Sequence, residues 1–167
     1  MTAEDVIRLL QLQPHPVEGG YFRETYRSSV VLPASMLPGY GASRAVSTAI
    51  YYLLMPGHVS ELHVLASDEV FHFYLGEPVR MLQLWPDGRG QEVILGTNLA
   101  AGEVPQVVVP AGVWQGARLV GDQGFALLGC TVAPGFEYAD YRRGGRAELT
   151  SRWPAFATEI ERLTPRG

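Results

Sequence analysis

Apolar residues at helical spacing open the chain. In TAEDVIRLLQLQP, Val6, Leu9 and Leu10 form one stripe, Thr2 can cap the first turn, Glu4 and Asp5 suit its dipole, and Pro14 ends it. A Gly-Gly turn in HPVEGGYFRETYRS then leads into alternating residues that read as a strand. Residues 32–44, LPASMLPGYGASR, carry the Pro, Gly and Ser of an exposed loop. Beyond them the period becomes two. Runs of strand length fall at 45–55, 60–65, 69–75, 79–85, 91–96, 105–110, 114–120 and 124–134, with Gly/Pro turn signals between them. Short strands with no helices between them predict an antiparallel sandwich or barrel. The tail PAFATEIERLTP predicts a C-terminal helix, with Phe156, Ile160 and Leu163 at i, i+4 and i+7. Residues 1–167 read as one domain without internal repeats.

Composition narrows the chemistry. All of the 13 basic residues are Arg, so a catalytic lysine, a Schiff base and a phosphate-loop lysine are excluded. The net charge of −4 offers no footprint for a nucleic acid polymer. No run reaches the length of a membrane span, and MTAEDVIRLL has neither a basic nor an apolar leader segment, so the expected location is the cytoplasm. The single cysteine, Cys130, lies in the apolar run FALLGCTV and reads as a buried, inert thiol. The arginine-rich DYRRGGRAELTSR reads as a solvated loop.

Three of the four histidines fall within GHVSELHVLASDEVFHFYLG, residues 57–76. Alternation puts Glu61, His63 and Leu65 on one face of the first strand. In the next it puts Glu69, Phe71 and Phe73 opposite Val70, His72 and Tyr74. A hairpin of the two strands would bring His63 near Glu69. His58, beside a Pro-Gly turn, is expected in solvent, and His72 needs a bulge to face inward. An imidazole beside a carboxylate admits a metal site, an oriented general base or a satisfied buried pair.

The spacing Gly57-x5-His63-x-Leu65-x3-Glu69-x6-Gly76 resembles the first motif of the jelly-roll cupins, with Leu65 where the second histidine stands. Pro110-x-Gly112-x2-Gln115 resembles part of the second, with Gln115 in place of its histidine. Five ordered blocks (HPVEGGYFRETYRS, TAIYYLL, SDEVFHFYLG, VVVPAGVWQGA and LLGCTVAPGFEYADY) resemble the DUF985 or Cupin_5 branch, from about residue 9 to 141. The resemblance implies an all-β double-stranded β-helix, or jelly roll, and a dimer. The short N- and C-terminal helices read above flank it, and strand exchange or sheet extension near the N-terminal block, which would cover exposed edges, is the expected mode of dimerisation. Residues 142–167 lie outside it as a C-terminal extension expected to be helical.

Three readings of the site follow. A cupin metal is held by three histidines and a glutamate, so His63, Glu69 and Gln115 form a depleted set for a divalent ion. The second reading requires no cofactor. By analogy with cupin epimerases, His63 is the base, Glu69 its orienter and Tyr74 or Tyr138 the acid, acting on a sugar- or nucleotide-like molecule. The third is a non-catalytic small-molecule-binding module lined by Phe71, His72, Phe73, Thr131 and one of Trp114 or Gln115, with Arg23 available to an anion.

Overall fold

The computed structural model describes residues 1–165. In chain order its elements are α1 (Ala3–Leu10), β1 (Gln13–Pro14), β2 (Tyr21–Arg27), β3 (Val31–Leu32), β4 (Arg44–Ala45), β5 (Thr48–Leu54), β6 (Ser60–Val64) and β7 (Asp68–Gly76). There follow β8 (Val79–Leu84), β9 (Gly90–Leu95), β10 (Gln106–Val109), β11 (Trp114–Leu119), β12 (Ala126–Ala133), β13 (Arg142–Arg143), α2 (Arg146–Arg152) and α3 (Ala157–Arg162). The strands make two facing antiparallel sheets, in the orders β1-β2-β5-β12-β7-β10 and β13-β6-β11-β8-β9, with β3 and β4 paired apart. This is a double-sheet jelly-roll architecture.

Alternation decides what enters the space between the sheets. Tyr52, Leu54, Phe71, Phe73, Met81, Ala117, Leu128 and Cys130 bury their side chains there. The intervening residues of the five-stranded sheet face outward, yet are also buried. Leu62, Val64, Leu82, Leu84 and Trp114 pack beneath Leu149, Trp153, Ile160 and Leu163 of the C-terminal segment. The bidentate pair of Arg118 Nε and Nη2 with Glu159, at 2.6 and 3.1 Å, fastens α3 to the sheet. The arginine-rich stretch expected as a solvated loop therefore contains α2, because the outward apolar face of the sheet has to be covered.

The first helix has the expected Thr2 capping box but stops earlier, with Gln11 left-handed at φ 55°, and Pro14 pairs in β1 instead. Ala3 and Val6 are buried against Leu53 and Leu127, on the outer side of the six-stranded sheet. Leu9 falls off that face and is 61% exposed.

The hairpin expected from β6 and β7 does not form. The two strands belong to opposite sheets, and the turn between them crosses the gap. β6 pairs between β11 and β13, where the C-terminal segment covers its outward Leu62 and Val64 while His63 faces the cavity.

Candidate functional site

A cavity of about 340 Å³ opens between the sheets at one end. Its lining comes from several elements: His15 and Glu18 before β2, Phe22, Glu24 and Arg27 on β2, Thr48 and Ile50 on β5, and His63 and Leu65 at β6. Glu69 on β7, Cys130 and Val132 on β12, and Phe136, Glu137 and Tyr138 beyond it complete the wall.

His63 and Glu69 arrive from opposite sheets. His63 is buried, and its Nδ1 donates to the Glu61 carbonyl at 2.7 Å, since a carbonyl can only accept. In the neutral ring the lone pair therefore sits on Nε2, which has no hydrogen-bond partner among the described residues. Tyr141 stacks on the ring with centroids 4.8 Å apart. Glu69 is buried beside the Cys130 thiol and accepts from Gln115 Nε2 at 2.7 Å. Burial first, then the charge of Glu18, pushes its pKa up to about 8, against the opposing bonds from Gln115 and Cys130. At neutral pH this carboxyl holds a proton. The Gln115 Oε1 atom is buried without a partner among the described residues. Burial drives the Cys130 thiol up as well, which keeps it unreactive.

The loop of residues 15–20 forms the near wall. Gly19 lies at φ 98° and Gly20 at φ 69°, and a Cβ on Gly19 would overlap the Val59 carbonyl, so only glycine permits this approach. The approach sets Glu18 against Ser60, whose hydroxyl donates to Glu18 Oε1, while Glu61 N–H donates to the Glu18 carbonyl at 2.9 Å. The Tyr52 hydroxyl donates to the Gly19 carbonyl at 2.8 Å.

At the mouth, Arg27 donates to Glu24 from Nε and Nη2 at 3.0 and 2.9 Å, and to Glu137 from Nη1 at 2.8 Å. Tyr138, half exposed, packs edge-on to Phe136.

The residues named from sequence thus separate. His63, Glu69 and Tyr138 line the cavity, with Gln115 bonded to Glu69. Phe71 and Phe73 point inward but belong to the packed core. His72 and Tyr74 lie on the outer face of the six-stranded sheet, stacked on each other, with His72 bonded to Thr131 and Gln106 at 3.2 Å each. Thr131 shares that face, so none of these three reaches the cavity. β7 stays regular through His72, and its register shift comes only after Phe73. Trp114 faces the C-terminal helices, under the Arg142 guanidinium. Arg23 also points away, over the Tyr51 ring. A bulge between Glu24 and Tyr26 brings Arg27 to the cavity instead. His15, Glu18, Glu24, Arg27 and Glu137 were not anticipated, although all five lie within the resembling blocks HPVEGGYFRETYRS and LLGCTVAPGFEYADY.

Residues 4–143 match the family described as Cupin superfamily (DUF985), Cupin_5. The chain belongs to this cupin family. The uncharacterized protein YML079W of Saccharomyces cerevisiae is 33% identical over 151 residues, covering 84% of this chain and 74% of its own. The X-ray structure of protein SO0799 from Shewanella oneidensis superposes with a TM-score of 0.87 at 35% identity, over 100% of this chain and 99% of that one. Oxalate decarboxylase from Bacillus subtilis shares the fold alone, with a TM-score of 0.56 at 16% identity over 95% of this chain and 38% of that one.

Cupins can hold metals, but the donors of this cavity are a poor match for one. Leu65, at the place of the second motif histidine, presents hydrocarbon to the cavity. His63, Glu69 and Gln115 offer one imidazole, one buried carboxyl and one amide oxygen. Among the described residues no three or more His, Cys, Asp or Glu side chains gather as a metal-holding group. This set does not fit an ion that three histidines and a glutamate would hold. No helix among the described residues is long and apolar enough to cross a membrane.

Proposed function

We propose that this cupin binds a small polar carbonyl compound in the cavity and transfers a proton at the carbon beside the carbonyl, as an isomerase or epimerase without a metal. One observation carries the reading. The Glu61 carbonyl holds the His63 proton on Nδ1, leaving Nε2 as a base in the same cavity as a protonated Glu69. A base and a neutral acid enclosed together are the equipment of proton transfer α to a carbonyl. The cavity volume suits a small ligand. Of the sugar-like and nucleotide-like ligands expected, the charge around the cavity favours the first. Glu18, Glu24 and Glu137 surround it, and the Arg27 guanidinium is already paired with two of them, which opposes a phosphate.

The test is incubation with a broad panel of uncharged and nucleotide-linked keto and aldo sugars in deuterated water, followed by NMR. Enzyme-dependent deuterium uptake α to the carbonyl, lost in His63→Asn, is the expected result. Uptake unchanged in that variant removes His63 as the base. Ligand-induced shifts at cavity residues without uptake anywhere in the panel would leave a binding module.

The homodimer implied by the family belongs to this proposal. Tyr26, Val30 and Val31, more than half exposed at and after β2, provide apolar surface at the N-terminal block. Light scattering on the full chain tests it, and a monomer at micromolar concentration would overturn it.

A further inference from the structure

The cavity contains a second imidazole, and the backbone fixes its proton on the opposite nitrogen. His15 Nδ1 accepts from the Glu18 N–H at 2.9 Å and from the Val17 N–H at 3.4 Å. A nitrogen accepting from two amides carries its lone pair there, so the hydrogen of the neutral ring sits on Nε2. That atom lies 3.9 Å from Glu18 Oε2, in a side chain only 4% exposed. Charging the ring would place a hydrogen on Nδ1 against both amides. Burial first, and the nearby His63, keep the pKa of His15 below the usual histidine value, with Glu18 opposing them. The two histidines thus face one cavity with complementary atoms: His63 Nε2 offers a lone pair and His15 Nε2 a hydrogen.

Resting on the proton-transfer reading, we propose that His15 is a catalytic electrophile whose Nε2–H hydrogen-bonds the carbonyl oxygen of an uncharged hydroxy-carbonyl substrate. His63 Nε2 removes the proton from the adjacent carbon. The C–H electron pair becomes the C=C bond of an enediolate, and the C=O π pair moves onto the oxygen, where the His15 hydrogen bond stabilises it. His63 holds the proton while the enediolate persists, exchanges it with solvent, and returns a proton to carbon as the oxygen's electron pair re-forms the C=O bond, with no electron gained or lost overall. A neutral imidazole suits this role because its hydrogen is held in place before charge develops on the oxygen.

The competing account makes His15 only a clasp for the 15–18 turn, packed on Phe22 with centroids 4.6 Å apart. Two variants separate the accounts. His15→Asn keeps an acceptor near the Nδ1 position but loses the Nε2 donor. His15→Gln keeps an N–H near the Nε2 position but loses the clasp. The probes are dihydroxyacetone, D-fructose and D-xylulose, with deuterium uptake from deuterated water as the rate. An electrophile predicts a fall of about 100-fold or more in His15→Asn, as when one oxyanion donor is removed, and partial rescue in His15→Gln. A clasp predicts the reverse order, and that result overturns the proposal. Uptake in His15→Asn within threefold of wild type also overturns it, while leaving His63 as the base. Loss of uptake in His63→Asn together with full activity in both His15 variants separates the two readings in the same way. Imidazole ¹⁵N shifts of the wild-type chain give a readout free of turnover: protonation on Nε2 of His15 and Nδ1 of His63 is expected, and a proton on His15 Nδ1 overturns the electrophile. No uptake by wild type with any of the three probes overturns both roles.

Discussion

Gln115 Nε2 donates to Glu69 Oε2 at 2.7 Å across the gap between the two sheets. The bond joins the residue at the second motif's histidine position to the first motif's glutamate, and it leaves Gln115 Oε1 unpaired among the described residues. It opposes, without overcoming, the burial that keeps Glu69 protonated.

The first prediction follows from that proton. Glu69 titrates at about 8 in the folded chain against 4.5 for an ordinary glutamate. Between those values the folded state holds the extra proton, so stability falls as pH rises through this window and levels off above it. Each unit is worth about 1.4 kcal/mol, making the full effect several kcal/mol. Glu69→Gln removes this slope while keeping an acceptor for Gln115. Urea unfolding at pH 5, 7 and 9 should show the variant gaining on wild type as pH rises. Parallel profiles would mean that Glu69 is ionised throughout.

Restoring the motif tests the geometry of the inner wall. Leu65→His combined with Gln115→His places two further imidazoles beside His63 and Glu69. Calorimetry with Ni²⁺ should show the double variant binding more tightly than the parent, because imidazole outcompetes hydrocarbon and amide for such ions. Equal affinities would show that the four positions do not converge on one point.

The lip carrying Glu137 and Tyr138 is anchored below by Arg44, whose Nε and Nη2 reach Asp140 at 2.7 and 2.6 Å. Both side chains are buried, at 4% and 9% exposure. Arg44→Met leaves the carboxylate without its partner and should cost about 1–3 kcal/mol. Adding Asp140→Leu should recover much of that loss in a double-mutant cycle followed by thermal unfolding. A single-variant loss below ~1 kcal/mol would contradict the burial of the pair.

The C-terminal segment is expected to behave as core. Ile160→Ala, at a fully buried site on α3, should destabilise by about 2–5 kcal/mol. Deletion of residues 144–167 should expose Leu62, Leu82, Leu84 and Trp114 and raise dye binding to apolar surface. A deletion variant with unchanged dye binding would mean that the sheet face is covered in another way.

The strands at 48–54, 60–64 and 126–133 were legible because period-two alternation and Gly/Pro turns are local signals. The same alternation already pointed Glu69 inward and His72 and Tyr74 outward, as the structure has them. The spacing that resembles the first cupin motif singled out His63 and Glu69. His15 and Arg27 were not legible as cavity residues. Arg27 reaches the mouth only through a bulge whose position no local pattern marks. His15 does so only because Gly19 lets its loop close on Val59, some forty residues away.

By itself the sequence determined the all-β class, most of the turns and which residues of a regular strand share a face, since those depend on each residue and its near neighbours. The tertiary structure alone decided that β6 and β7 belong to opposite sheets, that the tail covers Trp114, and that two histidines with opposite protons share one cavity. Those outcomes depend on long-range pairing and on backbone groups brought to the imidazoles by loop closure. An imidazole's tautomer is set by whichever carbonyl or amide the fold places against it.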